Sequence, residues 1–203
     1  MENLWFVIIA LLGIATYVSA VWQMLIGQYS PSFFTRGVWL LLGINSFIGV
    51  LFGNGTKASV ILAAALLVGN AAVFLVSYKK GSRDFGSVEW ISFLLLVVAL
   101  LIWIVLDTPF ITLVISLVAH FIGGIPTIWR TIKKPSIEKA LHWYFFFTAS
   151  VLSIIVSPDK SLTAILFPIY FAFFDGLIIL LVNRKKIANI FGHIHKTLVA
   201  KMR

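Results

Sequence analysis

Seven runs of about 20 mostly apolar residues, parted only by short polar breaks, leave this chain one environment in which to fold. They fall at roughly 4–26, 36–53, 57–78, 88–106, 109–129, 139–157 and 161–183. Each is long enough to cross a hydrocarbon layer ~30 Å thick as a helix. The breaks carry turn chemistry: GQYSPS at 27–32, NGTK at 54–57, KKGSRDFGS at 79–87, DTP at 107–109, RTIKKPS at 130–136 and SPDKS at 157–161. Of the 203 residues, 61% are hydrophobic and 11% charged, and the mean hydropathy is +1.05. A soluble domain carries about a quarter charged residues. Too little polar surface exists here to cover a water-borne particle. The implied fold class is an all-α integral membrane protein of seven transmembrane helices.

The chain has no cysteine, which excludes disulfides, thiol chemistry and cysteine metal sites. The first apolar run lacks a basic start and a small-residue cleavage site, and reads as a retained helix. A net charge of +9 suggests nucleic acid in a soluble protein. Here sidedness accounts for it, and no nucleic-acid partner is expected. With the N-terminus outside, fourteen of the sixteen basic residues fall in inner segments, at 36, 79–83, 130–139 and 184–203; only Lys57 and Lys160 fall outside. This positive-inside pattern predicts a cytoplasmic C-terminus and a plasma (inner) membrane location. The tail after the seventh run has apolar residues at 187, 190, 191, 194 and 198, a helical spacing, with basic residues on the remaining face. It is expected to lie on the anionic inner leaflet. Binding a partner, or a second copy in a homo-oligomer, stays open.

Slid along itself by 104 residues, the chain matches without gaps. Segment 16–48 falls on 120–152, pairing Pro31 with Pro135, Ser32 with Ser136, Trp39 with Trp143 and Ser46 with Ser150; 57–77 falls on 161–181. One offset aligns three helices and the loops between them. The expected architecture is two parallel three-helix bundles joined by a linker helix: a first repeat at 1–78, the linker with its loops at 79–108, a second repeat at 109–183 and a basic amphipathic tail at 184–203.

Residues 125–136, IPTIWRTIKKPS, carry a proline at the inner end of a repeat's first helix, then an apolar pair, a basic cluster and a Lys-Pro-Ser near the next helix. This resembles the signature of the PQ-loop, SWEET-like transporter superfamily, whose members include sugar transporters and lysosomal amino-acid exporters. The PnuC-type vitamin transporters share the three-one-three layout. Thr127 stands where the family has glutamine, and the first repeat keeps Gln23 without the proline. The late positions of the second helices, where SWEETs stack a tryptophan on sugar, are apolar here, which argues against a sugar. The resemblance implies a hinge at Pro126, helped by Gly123 and Gly124, with bending extended to Gly27. From the residues alone, the stronger reading is that Pro126 ends its helix before a loop, aided by Gly123 and Gly124.

Six of the seven acids lie at run ends or in breaks; Asp175 alone lies deep within a run. A carboxylate at that depth needs a proton or a partner. Its repeat counterpart, within one position, is Asn70. SWEET-like transporters place a polar pair, usually asparagines, at these points in the third helices to bind substrate. The resemblance therefore assigns Asn70 and Asp175 to substrate binding; the plain alternative for Asp175 is a structural link to another helix. His120, mid-run, pairs with Asp175 or senses protons, or is a packed histidine satisfied by a carbonyl. Asn45, Ser46, Thr148 and Ser150 are candidate cavity polars, with Tyr17, Gln23 and Tyr170 behind them; Ser and Thr also bond their own helix backbone. Trp39, Trp143 and Trp129 are open to lining a cavity, but near a water boundary they read chiefly as interfacial anchors. No Walker loop, dinucleotide fingerprint or HExxH motif occurs, so no cofactor, metal or catalytic residue is expected.

The expected function is facilitated or proton-linked transport of a small polar solute (a sugar, vitamin precursor, nucleoside or amino acid) by alternating access between the repeats. The alternative is a receptor or scaffold of the same fold. A polar cavity reaching Asp175 favours transport; a filled core with Asp175 salt-bridged favours the scaffold.

Overall fold

A computed structural model of the chain describes residues 2–31, 33–81, 83, 86–106, 109–135 and 140–201. Asp107 and Thr108 of the expected hairpin, Ser32 and Ser136 of the repeat register, and Lys139 lie outside the described residues, as do the side chains of Pro126 and Arg130 and those of the tail from 188 onward. The seven elements are all α-helices: α1 (Glu2–Leu25), α2 (Phe33–Phe52), α3 (Lys57–Lys80), α4 (Ser87–Leu106), α5 (Pro109–Lys133), α6 (Ala140–Val156) and α7 (Leu162–Lys201).

The helix ends have local causes. Gly27 at φ 74° occupies the left-handed region that closes α1, and the amide of Gln28 bonds the carbonyl of Gln23 at 2.8 Å. Gly27 is thus a helix stop rather than a bend within α1. Thr56 caps α3, its hydroxyl accepting from the Ser59 amide at 3.3 Å. Before α7, the Asp159 carboxylate accepts from the Ser161 amide at 2.7 Å and the Ser161 hydroxyl at 2.9 Å, which holds Asp159 below the usual carboxylate range. Cations sit on the carbonyl ends: Arg83 donates to Tyr78 O of α3 at 2.8 Å, Arg184 donates to Ile132 O of α5, and Lys160 donates to Ile154 O of α6 and to Ile155 O at 3.0 Å. Of the two basic residues expected outside, Lys160 therefore serves α6, and Lys57 lies over the Phe6 ring at 4.7 Å.

Two helices run past their expected ends. α5 continues through Pro126 and the cationic stretch to Lys133, so Pro126 does not end it; the stop comes just before Pro135. α7 runs unbroken for 40 residues, absorbing the tail. At ~1.5 Å per residue it is about 60 Å long, twice a ~30 Å hydrocarbon layer.

α3 packs against α1 and α2, and α7 packs against α5 and α6. Further contacts join α1 to α6 and α2 to α5, while α4 lies on α5 and α2. The surface is inverted relative to a soluble protein. On α1, Leu4, Val7, Leu11, Ile14, Val18, Trp22 and Leu25 form an exposed stripe at helical spacing, while Thr16 and Gln23 are buried. Across the molecule Asn45, Ser59, Asn70, Ser116, Ser150 and Asp175 are buried. Four helices, with apolar stretches at Asn3–Leu25, Lys57–Lys80, Pro109–Lys133 and Leu162–Ile187, are long and apolar enough to cross a membrane; Arg36–Phe52 and Leu141–Val156 are shorter apolar stretches.

One buried hydrogen bond ties the two halves of the chain. Pro168 lies inside α7 and lacks the amide that would bond the carbonyl four residues earlier, Ala164 O. The Ser59 hydroxyl of α3 donates to that oxygen at 2.9 Å, with Ser59 fully buried. Ser59→Ala strands a buried carbonyl and is expected to cost about 1–3 kcal/mol. Thermal unfolding in detergent checks this; Ser59→Thr, which keeps a hydroxyl, should lose less.

Candidate functional site

A cavity of about 50 Å³ lies where six helices meet. α1 lines it with Thr16, Tyr17 and Ala20, α2 with Arg36 and Trp39, and α3 with Leu66, Asn70 and Val73. α5 contributes His120, α6 His142, Trp143 and Phe146, and α7 Phe171 and Asp175. About 10–15 Å³ admits one water, so this conformation holds a few waters and nothing larger.

Asn70, Asp175 and His120, from three different helices, line this one cavity. Asp175 is 2% exposed and its Oδ2 has no hydrogen-bond partner within the protein. His120 bonds Tyr170, not Asp175: its Nδ1 lies 2.9 Å from the Tyr170 hydroxyl, and its ring stacks on Trp39 with centroids 4.8 Å apart. Tyr170 stands behind the cavity wall and orients His120. Asn45 and Ser150 are buried but do not line the cavity. Asn45 Nδ2 donates to the Ser116 hydroxyl, which donates to Thr112 O at 2.8 Å, so Asn45 ties α2 to α5. The Ser150 hydroxyl has no partner within the protein. Thr148 is exposed and bonds its own backbone at Tyr144 O, 2.8 Å away, which removes it from the cavity candidates.

The tryptophans divide. Trp129 is exposed with Lys133 over its ring at 4.8 Å, as an anchor would be. Trp39 and Trp143 are buried in the cavity wall, against the anchor expectation. Both lie early in their helices, within the first two turns, yet neighbouring helices cover them.

Arg36 and His142 were legible only as an orientation charge and an unremarked histidine. Arg36 is 9% exposed; it donates to the Tyr29 hydroxyl, and its guanidinium lies 4.6 Å from the Trp39 ring centre. α2 begins at Phe33, three residues before the expected boundary, which draws Arg36 inside the helix. Its i+3 spacing to Trp39 within α2 was the available signal.

Glycines set how closely the walls approach. A Cβ on Gly69 would lie 1.9 Å from the Tyr17 ring, and one on Gly124 2.5 Å from the Phe174 ring. Gly124 thus has a packing reason to be glycine, and with Gly123 it is buried within continuous α5.

A second, larger recess of about 720 Å³ lies at one end of the bundle, lined by Asn3, Phe6, Thr56, Lys57, Ala58, Leu152, Val156 and Asp159 among others. Its charges, Lys57 and Asp159, already have local partners. An apolar cluster separates the two spaces: it includes Ala58 of the recess, Leu66, Phe146 and Phe171 of the cavity, and Ile9, Leu62, Leu113, Leu117 and Phe167 between. Among the described residues, no group of three or more His, Asp or Glu side chains is placed to hold a metal ion. Comparison with protein-family models, characterised proteins and solved structures finds no match.

Gly69→Ala should drive the Tyr17 ring out of its place and lower stability by about 1–3 kcal/mol, an overpacking cost. Thermal unfolding measures it; Ala72→Leu, on the apolar groove outside the cavity, should change far less.

Proposed function

We propose that this chain is a membrane transporter of a small polar solute, working by alternating access between two three-helix repeats joined by α4. The observation that carries this is the cavity itself. It lies at the junction of six helices and, within a mainly apolar and aromatic wall, holds a buried carboxylate oxygen and a buried guanidinium nitrogen that lack partners within the protein. An apolar layer stands between it and the recess at one end. A scaffold would gain nothing from such groups, because charged side chains in apolar surroundings cost several kcal/mol.

The repeat organisation is supported by the packing. Exchanging α1, α2 and α3 for α5, α6 and α7 maps the pattern on itself: α3 touches α1 and α2 as α7 touches α5 and α6, and α1 on α6 matches α5 on α2. Among the described residues neither α1 and α2 nor α5 and α6 touch. Cavity residues also pair at the 104-residue offset, Thr16 with His120 and Trp39 with Trp143, and Asn70 with Asp175 one residue out. The exposed apolar exterior supports insertion in a bilayer, and the basic residues favour an outside N-terminus and an inside C-terminus. In that orientation the recess opens outward, the apolar cluster is a closed outer gate, and the basic stretch after residue 183 meets the anionic inner leaflet.

The absence of cysteine makes accessibility directly measurable. Ala20→Cys, in the cavity wall, should react with a membrane-impermeant maleimide added to either face of proteoliposomes. Val105→Cys, on the apolar exterior, should react from neither. Labelling of Ala20→Cys from one face at most would favour the scaffold.

A further inference from the structure

We infer that the cavity takes an organic monoanion: a small carboxylate whose charged end docks at Arg36, whose far end presents a hydrogen-bond donor to Asp175, and whose body is flat. The inference rests on the transporter reading for the ligand being carried as well as bound.

The Arg36 end is short of acceptors. Arg36 Nε, Trp39 Nε1 and His142 Nδ1 all line this cavity and have no hydrogen-bond partner within the protein. The first two can only donate. They are neighbours, since the guanidinium lies 4.6 Å from the Trp39 ring centre, and Arg36 is 91% buried by its 9% exposure. One terminal nitrogen of the guanidinium, Nη2, is occupied by its bond to the Tyr29 hydroxyl, which leaves Nε open. Desolvated donors in one place call for an acceptor. A carboxylate presents two coplanar oxygens that match a guanidinium edge, and a single guanidinium balances a single charge.

The opposite need exists on another helix of the same cavity, α7. Asp175 Oδ2 is buried and unpartnered, and a carboxyl group keeps acceptor capacity in either protonation state. Neither end satisfies the other, because Arg36 Nε and Asp175 Oδ2 both remain open. Asn70 lines the same space and can donate or accept there. Between the two ends, half of the fourteen lining side chains carry aromatic rings, which favour a flat, unsaturated body. At about 50 Å³ the cavity must widen to admit it, as alternating access requires.

Three probes of one shape test this on the purified full chain in nanodiscs at pH 7: 4-hydroxybenzoate, 4-hydroxybenzamide and benzoate, titrated by calorimetry. The acid with the hydroxyl should bind at least about tenfold more tightly than the amide, which lacks the charge, and than benzoate, which lacks the donor. Arg36→Gln should abolish the preference for acid over amide, Arg36→Lys should restore part of it, and Asp175→Asn should narrow the gap between 4-hydroxybenzoate and benzoate. Equal binding of acid and amide to the wild type overturns the inference whether or not the variants fold, and so does an acid preference that survives Arg36→Gln. If no probe binds while Ala20→Cys labels from both faces, the anion site falls and transport stands. If the acid binds selectively while labelling is one-sided, transport falls and the anion site stands.

Discussion

The fold turns on an inversion: much of the exterior is apolar, and many of the polar side chains within the spans lie inside. A soluble helix buries its apolar stripe; α1 exposes one from Leu4 to Leu25 and buries Thr16 and Gln23. Inside, most polar groups are satisfied by their own helices or by a neighbour. Thr131 bonds Thr127 O at 2.7 Å, Thr16 bonds Leu12 O at 3.0 Å, and Ser59 fills the carbonyl that Pro168 leaves open. Against that background the open atoms of Arg36, Trp39, His142 and Asp175 stand out because they share one cavity. A charged group in the centre of a helix costs about 2.5–3.5 kcal/mol on insertion scales. Asp175 lies at such a depth, and Arg36 is buried in the first turn of α2; keeping both in one cavity with open atoms is unfavourable for stability alone and is the physical reason to propose a ligand there.

The walls are held close by small residues rather than by large interdigitating ones. Gly69 accepts the Tyr17 ring between α1 and α3, Gly13 meets Ala65 in the same interface with room for no Cβ, and Gly124 accepts the Phe174 ring between α5 and α7. A ring seated over glycine locks its helix pair together, whereas the apolar cluster around Leu62, Leu113 and Phe167 spans the two halves. In the proposed cycle the glycine-packed pairs move as rigid bodies and the cluster opens between them.

Much of the architecture was legible because length and hydropathy decide it. Six of the seven helix starts fall within two residues of the expected ones, since each is set by a turn or a cap: Thr56 before α3, Ser161 before α7, Pro109 at the head of α5. α2 is the exception, and it matters most. A charge was taken to mark the start of the run, but helices extend through charge when the guanidinium can turn inward to Tyr29 and Trp39. The same confusion shortened α5 and α7: Lys and Arg at a helix C-terminus mark a membrane boundary and stabilise the helix dipole, while Pro135 marks the stop. Of the site, Asn70, Asp175 and His120 were legible because deep polar residues are rare. Tyr170 was legible as a candidate but not as the support of His120. Asn45 and Ser150 have the right residue type and depth but face other helices, which periodicity alone does not resolve. Trp39 and Trp143 were misassigned because a tryptophan at a helix start is an anchor only if no neighbouring helix covers it.

The central claim is that the apolar cluster is a gate that opens between the halves. The direct measurement is a pulsed electron–electron distance between spin labels at Asn3→Cys and Pro158→Cys, on opposite sides of the recess, in lipid nanodiscs. The account predicts two populations, one matching the closed arrangement and one wider, with an added ligand shifting the balance between them. A single narrow distance that no ligand moves would contradict it, and the chain would then be a static helical scaffold.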